Sequence, residues 1–257
     1  MKPNARRFLT CSTAGVFGLS ALREALGGSY AAAHALALAG SSAFLLPTLI
    51  RNCSWYGPVI TRFPTTRREV WLTIDDGPDP AETPGMLEVL ARHGAVATFF
   101  GIGERILAHP DLARSVLEAG HCLENHTQTH PSASFWIATP GRAQREITAC
   151  SNAILNVTGR SPRFFRSPVG LANPFVHAAT ESAGLLMTGW TAAGLDGIPH
   201  EPERVVARIM KRVRPGAIIL LHEGSLPGMP PGTRGRTLEM LLQRLNNEGY
   251  GTCLPAF

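Results

Sequence analysis

The chain has 257 residues, 44% hydrophobic and 17% charged, which excludes a disordered polymer and allows one large domain or two small ones. Its net charge of +5 comes almost wholly from Arg, since Lys occurs only at Lys2 and Lys211, and it is scattered along the chain. With no basic arm and no aromatic-interleaved basic stripe, nucleic-acid binding gains little support, while weak attraction to anionic membranes or acidic glycans stays compatible.

The N-terminal region differs from the rest. Lys2, Arg6 and Arg7 precede an apolar stretch at 8–22, in the manner of an export signal, although "ARRFLT" departs from the twin-arginine pattern. Residues 25–50 contain no Asp, Glu, Lys or Arg, a length that can cross the roughly 30 Å hydrocarbon core as a helix. A cleaved signal, a single anchor, a membrane hairpin and an apolar helix packed on a soluble domain all fit. Membrane association is expected, at a bacterial inner membrane, but Arg residues flank both sides and leave orientation open. The expected organisation is an apolar segment at 1–50, a linker at 51–68 and a catalytic domain at 69–257.

From residue 69 onward, short apolar runs alternate with amphipathic segments. The runs are "EVWLTI" (69–74), "VATFFG" (96–101), "HCLE" (121–124), "RFFR" (163–166), "LLMTGW" (185–190), "AIILL" (217–221) and "YGTC" (250–253). A helix is predicted from Pro140, capped by Thr139 and stopped by Gly159, and another from Pro174, between Asn173 and Gly184. A third carries Val205, Val206, Ile209, Met210 and Val213 on one face. Such alternation predicts a parallel α/β sheet, open or closed, smaller than an eightfold barrel of about 250 residues. The five cysteines, Cys11, Cys53, Cys122, Cys150 and Cys253, are odd in number and lack a CxxC spacing, so they read as small buried apolar groups.

The polar residues fall in one place on this pattern. Asp75 and Asp76 follow the first run, His126 and His130 the third, Arg166 ends the fourth, Asp196 lies beyond the fifth, and His222 follows the sixth. All sit at carboxyl ends of predicted strands, where parallel α/β folds build active sites. A helical turn would bring His126 and His130 to one point, and two His plus a carboxylate form a ligand set for catalytic Zn²⁺ or Fe²⁺. Neighbouring Asp side chains diverge on a strand, so one would ligate and the other act as base. His222 has the right pKa range for an acid, with Arg166 and Asp196 suited to orient such a pair.

In order along the chain, "TIDDGP", "HTQTH", "FRSPVG", a Trp followed by "LDG", and "LLH" resemble the five motifs of the polysaccharide deacetylase family, the NodB-homology domain or carbohydrate esterase family four. The resemblance implies a distorted (β/α)7 barrel, TIM-barrel-like, and a metal-dependent hydrolase that removes N-acetyl groups from an amino sugar in a polysaccharide, oligosaccharide or glycolipid. O-acetyl esters and small cyclic amides fit the same site, and so does a catalytically dead sugar-binding protein. By motif position, Asp75 resembles the general base and His222 the general acid, oriented by Arg166 and Asp196 respectively. Asp76, His126 and His130 resemble the ligands of a divalent metal, Zn foremost, with Co, Fe, Ni or Mn as alternatives. The Val169 amide would bind the oxyanion, and Leu220 would line the acetyl methyl pocket. Val169 stands where the family usually has Tyr, and Gly197 where it usually has Trp, so two aromatic walls of the substrate groove are missing.

Overall fold

The alternating run at residue 69 forms β1, Glu69–Gly77, in a computed structural model that describes residue 35, residues 45–199 and residues 201–255. Its period of two sorts the side chains between two environments. Val70, Leu72 and Ile74 join the main apolar core, whereas Trp71 packs among Phe63, Phe100, Phe164 and Ile218 on the other face. Thr73 and Asp75 continue that second face and are both buried. The inward face of β1 thus changes from apolar to polar toward its carboxyl end.

The other strands are β2 (Thr98–Gly101), β3 (Cys122–Asn125), β4 (Phe164–Phe165), β5 (Leu186–Met187), β6 (Ala192–Ala193), β7 (Ile218–His222) and β8 (Gly251–Thr252). They run in the order β5-β4-β3-β2-β1-β7-β6, with β8 on the start of β1, and every pairing is parallel. The result is a parallel, partly open α/β barrel. Seven strands were expected; β6 is the eighth, formed by two alanines in a run too short to carry a period.

Residues 51–68, expected as a linker, are instead hydrogen-bonded into the barrel. Ile60 N–H donates to the Met187 carbonyl beside β5, and Phe63 N–H to the Gly216 carbonyl before β7. Ile60 forms a bridge with Thr188 and Arg62 with Ala217, which spans part of the open side. By compactness the chain divides after Pro47. The proposed signal or membrane segment therefore lies outside the described residues but for 35 and 45–50. Among the described residues no helix is long and apolar enough to cross a membrane.

Helices α1 (Thr83–Arg92), α2 (Gly103–Ala108), α3 (Pro110–Glu118), α4 (Pro140–Thr158), α5 (Pro174–Ser182), α6 (Pro202–Met210) and α7 (Thr233–Asn247) lie between the strands. Helix α4 ends at Gly159 with φ 71°, the left-handed stop that glycine favours, but the Thr139 side chain makes no cap bond. Asn173 does cap α5, its Oδ1 accepting from the Phe175 and Val176 N–H groups. Val205, Val206 and Ile209 of α6 and Leu238, Leu241, Leu242 and Leu245 of α7 close over the outward face of β1 and β7. Each such burial contributes about 1.5–3 kcal/mol before conformational entropy is charged against it.

Candidate active site

The two carboxylates of "IDDGP" occupy the last turn of the β1 pleat, inside the strand rather than after it. A regular strand would send them to opposite faces. Asp76 breaks the pleat: its φ is 77°, and the pairing of β1 with β2 slips between Asp75 and Gly77. A bulge of this kind re-aims one side chain. Both carboxylates consequently reach His126, with Nε2 at 3.7 Å from Asp75 Oδ2 and 3.5 Å from Asp76 Oδ1. The expected divergence does not occur, and their other partners separate them instead.

Asp75 is held by Arg166. Its Oδ1 accepts from Nη1 at 2.6 Å, and the same nitrogen donates to Thr73 Oγ1 at 2.7 Å. The remaining guanidinium nitrogens donate to the carbonyls of Thr188 and Gly189, and the group lies 4.2 Å from the Phe100 ring centroid. Arg166 is completely buried, and each of its three guanidinium nitrogens donates at least one hydrogen bond. One Asp75 oxygen, Oδ2, is left to face the histidines.

Asp76 has the opposite problem. Its Oδ1 is buried and accepts no hydrogen bond, while lying 3.3 Å from His130 Nε2 as well as near His126. The two histidines do not share a helical turn. Residues 126–130 form a loop with Thr127 at φ 69° and His130 at φ 50°, conformations that non-glycine residues adopt only under constraint. Asn125 supplies part of it, accepting from the Thr127 N–H and donating to the Ile147 carbonyl and Ser151.

The chemistry of this set fits a divalent cation. His126 Nδ1 lies 2.8 Å from the Arg166 carbonyl, which can only accept, so Nδ1 is a donor there and Nε2 is the ring nitrogen turned toward the two carboxylates. Burial, then the neighbouring His126, pulls His130 down to about 4, which keeps that imidazole neutral at pH 7. Burial alone would raise the Asp76 carboxyl, but His126, His222 and His130 outweigh it and hold it below the usual range. One ligand atom from each of Asp76, His126 and His130 lies within 4.8 Å of the others. A buried carboxylate oxygen with no hydrogen-bond donor, set between two imidazole Nε2 atoms, is a place that a divalent metal would fit.

His222 faces this cluster from the next strand, in register with Asp75. Its backbone N–H donates to Asp196 Oδ2 at 2.7 Å, and its Nδ1 lies 3.0 Å from Oδ1. Burial alone would lower His222, but Asp196 outweighs it and raises the imidazolium to about 9. At neutral pH the ring is a proton donor with Nε2 remaining. Leu220 lies two residues earlier on β7, buried and opposite Thr73. Val169 sits in the turn Pro168–Gly170 with φ 51°, partly exposed. Gly197 lies on the side of the His222 ring: a Cβ there would fall 3.7 Å from Cε1.

Sequence reasoning missed three residues that support the site. Arg105 donates to the Asp76 carbonyl at 2.8 Å. Glu223, fully buried against Thr83, is pushed by burial up to about 8 and packs on Gly77. Arg234, also buried, joins the Asp196 and Gly224 carbonyls. Arg234 did leave a signal. It occupies the apolar stripe of α7, with Leu238, Leu241, Leu242 and Leu245, where a charge is out of place.

Residues 63–188 match the family profile described as polysaccharide deacetylase. A chitooligosaccharide deacetylase of Bradyrhizobium sp. (strain ANU 289) is 39% identical over 162 residues, 63% of this chain and 73% of the relative. A peptidoglycan-N-acetylglucosamine deacetylase of Bacillus cereus is 31% identical over 196 residues, 76% of this chain and 89% of the relative. Among solved structures, a CE4 family pseudoenzyme from Bacillus anthracis superposes with a TM-score of 0.68 at 25% identity, over 76% of this chain and 66% of that one.

Proposed function

The chain belongs to the polysaccharide deacetylase family, and from that premise we propose that it hydrolyses the N-acetyl group of an amino sugar within a glycan. It is a hydrolase of non-peptide carbon–nitrogen bonds. Because a pseudoenzyme shares the fold, fold alone does not carry the activity. The carrying observation is the unpartnered buried oxygen of Asp76, set between two imidazoles and flanked by an oriented carboxylate and an imidazolium.

Asp76, His126 and His130 would hold a divalent cation, Zn²⁺ first among the candidates, which supplies a Lewis acid for the amide carbonyl and acidifies water. Asp75 takes the proton of the attacking water on Oδ2, since Arg166 occupies Oδ1. Water oxygen bonds to the carbonyl carbon while the Val169 N–H donates to the developing oxyanion. His222 passes its proton from Nε2 to the amide nitrogen as the carbon–nitrogen bond breaks, and Asp196 stabilises the imidazolium before that transfer. The products are acetate and a free amine, with Leu220 against the acetyl methyl. The uncharged residues 25–50 favour attachment of the domain to a membrane, and the missing aromatic walls at Val169 and Gly197 favour a substrate held by a lipid or branch.

The test is to incubate the purified protein with chitooligosaccharides, peptidoglycan and N-acetylated glycolipids and to quantify acetate and new primary amine together. Equimolar release from at least one substrate is expected. Release of acetate without amine would mean ester hydrolysis, and release of neither would refute the reading.

A further inference from the structure

Arg234 lies in the first turn of α7, just after Gly232, and is 3% exposed. Two effects oppose a cation at that place. Burial strips the ion of hydration, and the first turn is the positive end of the helix dipole. What offsets them is a set of contacts confined to two loops. Nε and Nη2 donate to the Gly224 carbonyl at 3.1 and 2.9 Å, and Nη1 donates to the Asp196 carbonyl at 2.5 Å. Nη1 also lies 3.5 Å from Asp196 Oδ2, the oxygen that accepts the His222 N–H.

These contacts meet at a strained point. Leu195, the residue before Asp196, has φ 65°, so the backbone entering Asp196 is not in a conformation it would keep unaided. The Asp196 loop follows β6, the Gly224 loop follows β7, and the planar fork of Arg234 spans both. We propose that Arg234 is a positioning residue for the proton donor: it braces the two loops so that the Asp196 carboxylate grips both the backbone N–H and the ring Nδ1–H of His222. The inference rests on the reading of His222 as that donor.

The experiment compares Arg234→Gln and Arg234→Lys with the unmodified protein in acetate release, metal content and thermal unfolding. Arg234→Gln is expected to lower kcat about tenfold to a hundredfold, the range for removing a group that orients a catalytic one, with KM and bound metal unchanged. The alkaline limb of its kcat profile moves to lower pH, because a loosened Asp196 no longer supports the imidazolium. Arg234→Lys keeps the charge but cannot fork, so it restores only part of kcat. If either folded variant keeps the parental kcat and alkaline limb, the inference is overturned. If both fail to fold, Arg234 serves the fold and the inference is likewise overturned. An unmodified protein that binds metal yet releases no acetate would refute the proposed function rather than the bracing role.

Discussion

Asp75 and Asp76 are neighbours with unlike surroundings, one tied to a buried guanidinium and the other facing the Nε2 atoms of two imidazoles. Substituting each by Asn removes its negative charge at nearly constant volume and so separates their roles. Asp76→Asn is expected to lose metal and activity together, because a neutral amide is a weak ligand. Asp75→Asn is expected to keep metal and to lose about a hundredfold or more in turnover. Metal analysis and acetate release on both proteins check this; an Asp75→Asn that empties the site while Asp76→Asn stays loaded would reverse the assignment. The candidate residues were legible from their chemistry and their place after apolar runs. Their separation was not, because it depends on the Asp76 φ of 77° and on the Arg166 bond to Asp75. Neither can be read from two identical letters.

At the scale of elements, the end of β1 is locked by what packs on Gly77. A Cβ at Gly77 would fall 1.3 Å from Glu223 Oε1, and Glu223 is buried with its hydroxyl partner Thr83 on α1. Gly77→Ala is therefore expected to lose about 2 kcal/mol or more and to shift the neighbouring Asp76 off its ligand position. Urea unfolding and metal content measure both; unchanged stability would show that Glu223 swings away at little cost. Helix α5 supplies a pH-dependent counterpart. Burial pulls its His177 down to about 4, and Nε2 has no hydrogen-bond partner. The folded pKa lies below the ordinary 6.5, so the unfolded chain binds the extra proton. This contribution is complete above pH 6.5 and disappears as pH falls toward 4. Its full size is about 3 kcal/mol. His177→Leu should flatten that part of the urea stability profile, and an unaltered slope would count against the assignment. Helix boundaries were legible from Pro140, Gly159, Asn173 and Pro174, whose backbone preferences act locally. Strand β6 was not, since Ala192 and Ala193 are ordered by neighbours rather than by their own pattern.

For the whole molecule, strand–helix alternation was enough to read a parallel α/β sheet with its polar residues on one rim, while its curling into a barrel came from the motif resemblance. The role of residues 51–68 was hidden, because their hydrogen bonds to Met187 and Gly216 join positions far apart in sequence. Likewise Arg234 lies beyond the last motif, and only its misfit on an apolar stripe marked it. Val169→Tyr would add an aromatic side chain at an exposed position of the turn Pro168–Gly170 and is expected to impair turnover of the native substrate by crowding it; higher activity on that substrate would contradict the idea of a non-stacking binding mode.

On the proposed mechanism, N-deacetylation depends on a metal centre formed by Asp76, His126 and His130. This dependence is tested most directly by stripping the purified protein with a chelator, confirming loss by elemental analysis, and following acetate release as Zn²⁺ or Co²⁺ is added back. No turnover is expected in the stripped protein, with recovery at about one equivalent of metal. Full turnover in protein shown to be metal-free would contradict that dependence.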